Sequence, residues 1–276
     1  MKLLSEYSVR AAHGTLSLGG ARSVARLLLF VVMAAAFVIL TLAVFSYTRN
    51  TTETMESELC QKMQVSVEQT CNNIDYRFDQ AAESGSALIG TLYPYLNSQG
   101  DVTVQLQEYT EIRRALSEQL DKHMISRLRL YVPDTKIYSG QQTTLYALNS
   151  LERDKMEIEP YLRGGVFWEE THPVSLGLSA PIQVISCVVA MKSQADYNSL
   201  CGVLFADIGV AQFHDIFKAG TTGGDKMFLV NAQGVVLAGE NDDLLGQTAI
   251  SVRRMAEICS VGKGYLLDSD MVLAFS

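Results

Sequence analysis

The sequence has little cysteine, little histidine and a deficit of basic residues. Five cysteines in 276 residues are too few for a disulfide scaffold, and an odd number cannot all pair within the chain. None of the four histidines lies beside a cysteine or at a metal-ligand spacing, so the sequence predicts no metal site and no cofactor. The 22 Lys and Arg residues face 30 Asp and Glu residues, a net charge of −8. A chain this acidic lacks the basic surface that binding to nucleic acid requires, and no nucleic-acid partner is expected.

One long apolar run stands near the N-terminus. No charged residue lies between Arg26 and Arg49, and Thr41 is the only polar residue from 27 to 45. As a helix this run rises about 28 Å, close to the roughly 30 Å core of a bilayer, so residues 24–48 are predicted to cross a membrane. A cleaved signal peptide fits less well, because its apolar core would be shorter and would end in a small-x-small cleavage site.

Charges on the two sides of this run predict its orientation. Residues 1–23, rich in Ser, Gly and Ala, are expected to be an unstructured tail, and with Arg26 they carry four basic residues against one acidic residue. The positive-inside rule then places the N-terminus in the cytoplasm and everything after Arg49 outside the cell. The sequence therefore predicts a single-pass protein of the plasma membrane.

Beyond the membrane, the apolar residues recur at spacings of three and four. They are Met55, Leu59, Met63, Val67, Cys71, Ile74, Phe78 and Ala82. One apolar stripe of this kind predicts a long stalk helix over residues 49–92, which Gly85, Gly90 and Pro94 are expected to bend or end. A second helix is predicted from Asp101 to His123.

The pattern in the middle of the chain predicts strands and short helices. The predicted elements are a hairpin formed by Leu128–Val132 and Lys136–Ser139, a short helix at Leu151–Leu162, a strand pair at Ile182–Lys192 and Leu200–Ile208, and a helix at Val210–Lys218. Cys187 and Cys201 lie on the two paired strands, which leaves a cross-strand disulfide open outside the cytoplasm. These elements make up a predicted domain of residues 93–219.

A similar order of elements begins again after residue 220. The stretch FLVNAQGVVLAG at Phe228 has the same hairpin pattern as LYVPDTKIYSG at Leu130, which suggests a weak internal repeat. The hairpin is predicted at Met227–Val230 and Val235–Ala238, followed by a helix at Ser251–Ser260 and the start of a strand at Met271–Ser276. Residues 220–276 therefore predict a second, partial domain.

This arrangement resembles the double Cache sensor family, above all the extracytoplasmic regions of Gram-positive sensor histidine kinases. The resemblance rests on the apolar span, the stalk, the strand GVLFADI at Gly202–Ile208 and the hairpin FLVNAQGVVLAGENDDLLGQ. It implies an α+β fold in which a transmembrane helix continues into the stalk helix. Tandem PAS-like antiparallel-sheet domains follow, the second of them incomplete. It also implies a homodimer that binds a small-molecule solute in the membrane-distal domain.

The segments that produce the output signal of such a receptor are missing from these residues. In the family a second membrane helix leads to the kinase, whereas this sequence stops before that helix, so no catalytic residue is expected on this chain. A chemoreceptor or an AraC-type membrane regulator can carry the same exterior, and a non-signalling anchored envelope protein is a further alternative.

The resemblance also implies candidate ligand-binding residues. Amino-acid-sensing Cache domains have a Tyr-x-Arg-x-Trp-Tyr motif and a later Tyr-x-Asp, to which Tyr161-Leu162-Arg163, Trp168 and Phe205-Ala206-Asp207 are similar. Arg163 would clamp a carboxylate, Asp207 would pair an ammonium group and Trp168 would offer a stacking wall. The Arg–Trp spacing differs from the motif, and the plainer alternative is a core tryptophan, a surface arginine and a strand-end aspartate.

The first strand offers further candidates for the same pocket. Arg129 and Tyr131 alternate along it and are predicted to line the pocket together with Tyr138. Tyrosines are common on half-exposed strands without any function, which is the alternative here.

Overall fold

The computed structural model describes residues 3–97, 102–122, 125–136, 145–153, 160–175, 180–196, 198–221, 225–268 and 271–276. The chain divides into two compact units, Met1–Lys62 and Met63–Ser276. The helix α1 runs from Leu3 to Asn97, so that its first part belongs to the first unit and the rest to the second. Residues 3–23, expected to be an unstructured tail, are helical.

The first unit contains the apolar run as an exposed helix. An 18-residue window of it has a mean hydropathy of 3.0 and no buried residue, so its length and composition are those of a membrane-spanning helix. Two threonine hydroxyls are satisfied within the helix, because Thr41 Oγ1 donates to the Phe37 carbonyl and Thr48 Oγ1 to the Val44 carbonyl, each at 2.8 Å. A hydroxyl bonded in this way needs no water, as a bilayer core demands.

The second unit is built around a five-stranded sheet. Its elements up to residue 220 are α2 (Val102–Lys122), β1 (Arg127–Val132), β2 (Leu145–Ala147), α3 (Ser150–Arg153), β3 (Gly165–Val174), β4 (Ile182–Lys192), β5 (Leu200–Gly209) and α4 (Ala211–Gly220). The strand order is β2-β1-β5-β4-β3. All neighbours are antiparallel except β1 and β2, which are parallel.

One face of the sheet packs against the helices and holds the main core. The strands contribute Leu128, Leu130, Ile185, Cys187, Val189, Leu204, Ala206 and Ile208, and the helices contribute Ile74, Ala81, Leu88, Leu92, Ile112, Leu116, Phe213 and Phe217. The opposite face, called the site face below, carries a second buried cluster of Tyr131, Leu151, Tyr161, Val188, Ala190, Val203 and Phe205. Because both faces are covered, β4 and β5 are nearly continuous hydrophobic runs rather than alternating ones.

Two hairpins and a helix follow residue 220. They are β6 (Phe228–Val230) paired with β7 (Val236–Gly239), α5 (Val252–Val261), and β8 (Gly264–Asp268) paired with β9 (Met271–Phe275). In the turn of the first hairpin, Asn231 Oδ1 accepts hydrogen bonds from the amides of Gln233 and Val235. This region contacts β3, since Thr171 Oγ1 donates to the Leu237 carbonyl at 2.6 Å.

The structure confirms the predicted fold class, an α+β fold in which a long apolar N-terminal helix leads to a sheet domain. It contradicts the predicted hairpin at residues 128–139. After β1, Pro133 leads into a 3-10 helix at Asp134–Lys136, and β1 pairs with β5 and β2 instead. The internal repeat therefore has no matching pair of hairpins, although the second one forms as predicted. Residues 137–144, which include Tyr138, lie outside the described residues.

Three smaller differences concern helices and a strand. Pro94 lies inside α1 and does not end it, because the neighbouring Leu92, Tyr95 and Leu96 are buried in the core and hold the last turn. The helix predicted at 151–162 is confined to α3 and a 3-10 helix at Tyr161–Arg163, with 154–159 outside the described residues. The edge strand β3 had no counterpart among the predicted elements.

A cross-strand disulfide between Cys187 and Cys201 does not form. Both thiols are free. Cys187 lies opposite Ala206, which is five residues from Cys201 on the same strand, so the two cysteines are roughly 16 Å apart along the strands. That separation is far beyond the reach of a disulfide.

Candidate ligand-binding site

A buried ion pair lies at the centre of the site face. Arg129 on β1 is opposite Phe205 on β5, which makes it a diagonal neighbour of Asp207 on the same face. Arg129 Nε donates to Asp207 Oδ2 at 2.7 Å, and Nη2 donates to Oδ1 at 2.9 Å. The two side chains are 4% and 0% exposed, so this is a bidentate pair out of contact with solvent.

Two further polar side chains extend the pair across the sheet. Ser186 on β4 donates from Oγ to Asp207 Oδ1 at 2.6 Å. His172 on β3 has Nδ1 2.9 Å from the Glu170 carbonyl and Nε2 3.4 Å from Arg129 Nη2. Since a carbonyl and a guanidinium flank the ring, the proton is assigned to Nδ1, and Nε2 accepts from Arg129. The four side chains form a polar chain that crosses β1, β5, β4 and β3.

The outer end of the site face carries an acidic residue. The Tyr161 hydroxyl donates to Glu169 Oε1. The second carboxylate oxygen, Oε2, is 3.9 Å from His172 Nε2, and the Glu169 side chain is 23% exposed. Burial and the hydrogen bond to Glu169 raise the pKa of Tyr161 well above its usual range, so the phenol stays protonated.

Five aromatic rings cover the rest of the site face. This aromatic layer consists of Tyr131, Tyr146, Tyr161, Phe167 and Phe205. Tyr131 contacts Tyr146 and Phe205 at centroid distances of 5.2 and 5.4 Å. Tyr161 is stacked on Phe167 at 5.5 Å and meets Phe205 edge-on at 5.8 Å. The Arg129 guanidinium lies 4.4 Å above the Phe205 ring, so the layer continues into the ion pair.

The electrostatics of the site keep the Arg129 guanidinium charged. Burial disfavours the charged guanidinium, but the hydrogen bonds and the attraction of Asp207 outweigh it and leave the pKa of Arg129 raised. The Ser186 hydroxyl donates to Asp207, and its Oγ is 3.5 Å from His172 Nε2. Within the described residues, no three His, Cys, Asp or Glu side chains gather as metal ligands would.

Of the sequence-predicted site residues, the structure brings three together. Arg129, Tyr131 and Asp207 meet on the site face, where Arg129 Nη1 also donates to the Tyr131 hydroxyl at 3.2 Å. Arg163 is exposed at the end of its 3-10 helix and is not part of this cluster. Trp168 lies on the other face of the sheet, where it packs against Phe78 of α1 at 4.7 Å.

Five members of the site were not identified from the sequence: Ser186, His172, Glu169 and the rings of Tyr146 and Phe167. Ser186 is the one polar residue in the apolar run of β4, and such an interruption is a usable signal. The register of β3 shifts between Glu169 and His172, so no alternating pattern marks either residue.

Two solved structures are similar to this chain in fold. One is the periplasmic sensory domain of the Campylobacter jejuni chemoreceptor Tlp1, with 12% sequence identity, a TM-score of 0.58, and coverage of 76% of this chain and 85% of that one. The other is methyl-accepting chemotaxis protein X, with 13% identity, a TM-score of 0.52, and coverage of 78% and 89%. No protein-family model and no curated protein matches the sequence. The chain has the fold of a sensory domain of the Cache type.

Proposed function

We propose that this chain is the extracytoplasmic ligand-sensing part of a single-pass membrane receptor, and that the site face of its sheet binds a small-molecule solute. The observation that carries the proposal is the buried network of Arg129, Asp207, Ser186 and His172. A core that served stability alone would be at least as stable with apolar residues at these positions. Charged groups buried beside an aromatic layer are what recognition of a small polar molecule requires.

A thermal-shift screen of the full chain in lipid nanodiscs tests this function. Amino acids, amines, organic acids, sugars and purines are added one class at a time, and unfolding is followed by fluorescence. A solute that binds only the native state raises the melting temperature by mass action. If no solute of any class raises it, the proposal of a small-molecule sensor is wrong.

We also propose that the N-terminus is cytoplasmic and that the residues after Arg49 are outside the cell. The support is the excess of basic residues before the apolar run of α1. Cys259 is an exposed free cysteine, so it reports on the side of the membrane. A membrane-impermeant maleimide is expected to label it in intact cells, with a Cys259→Ser variant as control. Labelling only after lysis would reverse the orientation.

Within this exterior, residues 93–219 are proposed as a membrane-distal Cache domain and 220–276 as part of a proximal one. The receptor is proposed to act as a homodimer through α1, on which Val65 and Tyr76 are 47% and 60% exposed. Mass photometry of the chain in nanodiscs is expected to show two copies, and a strictly monomeric chain would contradict this.

The output is proposed to be that of a two-component sensor histidine kinase. The support is the resemblance of the strand at 202–208 and the hairpin at 228–239 to that class. Membranes containing the product of the whole gene are incubated with radiolabelled ATP, and an acid-labile phosphohistidine is expected. Glutamate methylation without phosphorylation would instead assign the receptor to chemotaxis.

A further inference from the structure

We propose that the first half of the edge strand β3 is a docking site for an extended peptide segment of a partner protein, which pairs with β3 as an added strand. The segment is apolar at alternate positions and acidic at its C-terminal end. This inference goes beyond the sensor function and does not depend on a bound solute.

The strand β3 is the long edge of the five-stranded sheet. It has ten residues, whereas β2, at the other edge, has three. A long edge strand presents backbone amides and carbonyls to any extended chain beside it, so proteins shorten, charge or cover such edges. The second half of β3 is protected in these ways. Its register shifts between Glu169 and His172, it contains Pro173, and Glu170 and Thr171 hydrogen-bond to the region after residue 220.

The first half of β3, Gly165–Trp168, lacks such protection. It contains no charged residue and no proline, and among the described residues no other strand pairs with its outer side. Val166 and Trp168 are 49% and 40% exposed, and a Cβ on Gly165 would meet no described atom within 4 Å. This half, called the open edge below, can therefore accept an added strand, a mode in which backbone hydrogen bonds give affinity and alternate side chains give specificity.

Two basic side chains lie at the start of the open edge. Arg163 is exposed, and the stem of Lys192 lies over Gly164, where a Cβ would meet Lys192 Cε at 3.2 Å. Among the described residues, neither cation forms an ion pair. In a chain with a net charge of −8, these cations favour an acidic segment. An antiparallel strand on β3 ends beside Gly165, so the acidic residues belong at its C-terminal end.

A second copy of this chain does not fit the open edge. Two copies related by a twofold axis pair their edge strands antiparallel, about an axis perpendicular to the sheet. Because α1 packs along one face of the sheet, such an axis reverses the direction of α1 in the second copy. Copies anchored in one membrane through the same helix need that helix to run in the same direction. The occupant is therefore a different protein.

A synthetic peptide tests the docking site directly. The probe is Thr-Val-Thr-Val-Thr-Glu-Glu with an acetylated N-terminus, titrated into the full chain in detergent micelles, which contain no tryptophan. Trp168 is the only tryptophan of the chain and belongs to the open edge. Binding is expected to be saturable, with a dissociation constant of about 100 μM or lower. It should shift the emission of Trp168 to shorter wavelength and reduce its quenching by acrylamide.

Two altered peptides separate the contributions of charge and backbone. Replacing the two Glu residues by Lys should weaken binding by about fivefold or more, because the cations at the start of the open edge then repel the peptide. N-methylation of the first five amides should abolish binding, because the peptide then has no donor for the carbonyls of β3.

Variants of the chain locate the site. Val166→Glu should weaken peptide binding by about tenfold or more, because a negative charge replaces an exposed apolar contact. Val252→Glu is the matched control on α5, where Val252 is 67% exposed, and should change the affinity by less than about twofold. Arg163→Gln combined with Lys192→Gln should weaken the acidic peptide by about fivefold. The melting temperature shows that each variant is folded, and Arg163→Gln alone changes only an exposed side chain.

Three results would overturn the inference. They are the absence of saturable peptide binding, binding that Val166→Glu leaves intact, and equal binding of the N-methylated peptide. If Val166→Glu instead turns a dimer into a monomer in mass photometry, the open edge is an interface between copies and the proposed partner is wrong. A solute that raises the melting temperature of a chain that binds no peptide would leave the sensor function standing.

Discussion

Replacing Arg129 by Met should be among the most destabilising single changes in this protein. The variant leaves the Asp207 carboxylate, which is fully buried, with Ser186 as its remaining hydrogen-bond donor. Two charge-assisted hydrogen bonds are lost, each contributing about 1.5–3 kcal/mol. The sum agrees with the cost of about 3–5 kcal/mol for breaking a buried ion pair from one side.

Thermal unfolding of the full chain in nanodiscs measures this cost. The unit Met63–Ser276 has a size at which 1 kcal/mol corresponds to about 2–4 °C, so the melting temperature should fall by about 6–20 °C. The fluorescence of Trp168 follows the transition, since it is the only tryptophan in the chain and packs on Phe78. Arg127→Met is the matched control, because Arg127 is only partly buried on the same strand, and it should cost less than about 1 kcal/mol.

A double variant separates the ion pair from the volume of its side chains. Arg129→Met combined with Asp207→Leu removes both charges, so it should recover at least half of the loss of the single variant. A fall of less than about 3 °C for Arg129→Met, or a double variant no more stable than the single one, would show that the pair does not hold the site face together.

Three further outcomes follow from individual residues. Cys259 is exposed and should react with a thiol reagent in the native protein at pH 8. Cys187 should react only after unfolding, because burial shields it and raises its pKa to about 11. Mass spectrometry of the labelled chain distinguishes the two cysteines. Gly234→Ala should reduce the free energy of unfolding by roughly 1–3 kcal/mol and so lower the melting temperature, because the φ of Gly234 is +80° and a Cβ would meet the Ile250 carbonyl oxygen at 2.0 Å. An unchanged melting temperature would contradict this turn geometry. The raised pKa of Tyr161 means that the folded state holds the phenol proton more tightly than the unfolded state, so its contribution to the free energy of unfolding is complete below about pH 10 and falls as the pH rises above that value. Tyr161→Phe should reduce this fall in stability above about pH 10. Equal slopes of stability against pH for both proteins would contradict the prediction.

The elements that could be predicted from the sequence are those with long periodic patterns. The strands β4 and β5 and the helices α2, α4 and α5 lie within one or two residues of their predicted bounds, because each repeats its apolar residues over ten or more positions. The hairpin at 128–139 was mispredicted because Pro133-Asp134 has the composition of a turn. The partner strand of β1 is instead β5, which is more than 60 residues away in the sequence, and no local pattern indicates such a pairing.

The residue types of the site could be predicted from the sequence, but the contacts between these residues could not. Asp207 was identified as a carboxylate for recognition, and its actual partner, Arg129, was identified separately as a pocket residue. Whether the two meet depends on the register of β1 against β5, where a shift of one residue would turn Arg129 to the helix-facing side. Register also explains Trp168, which lies opposite Cys187 and therefore shares the helix-facing side with it.

The polar chain across the sheet has a mechanical consequence. Side-chain contacts from β1 to β3 add to the backbone hydrogen bonds between these strands, so a relative displacement of two strands would break contacts of both kinds, and the four strands form one cross-linked plate. On the edge of this plate, Phe167 faces the aromatic layer and its neighbour Trp168 faces Phe78 of α1. Because the two residues are consecutive and both rings are packed, a displacement of β3 would change the packing on both faces of the sheet. The edge strand β3 thus connects the aromatic layer on one face of the sheet to α1 on the other through two consecutive residues.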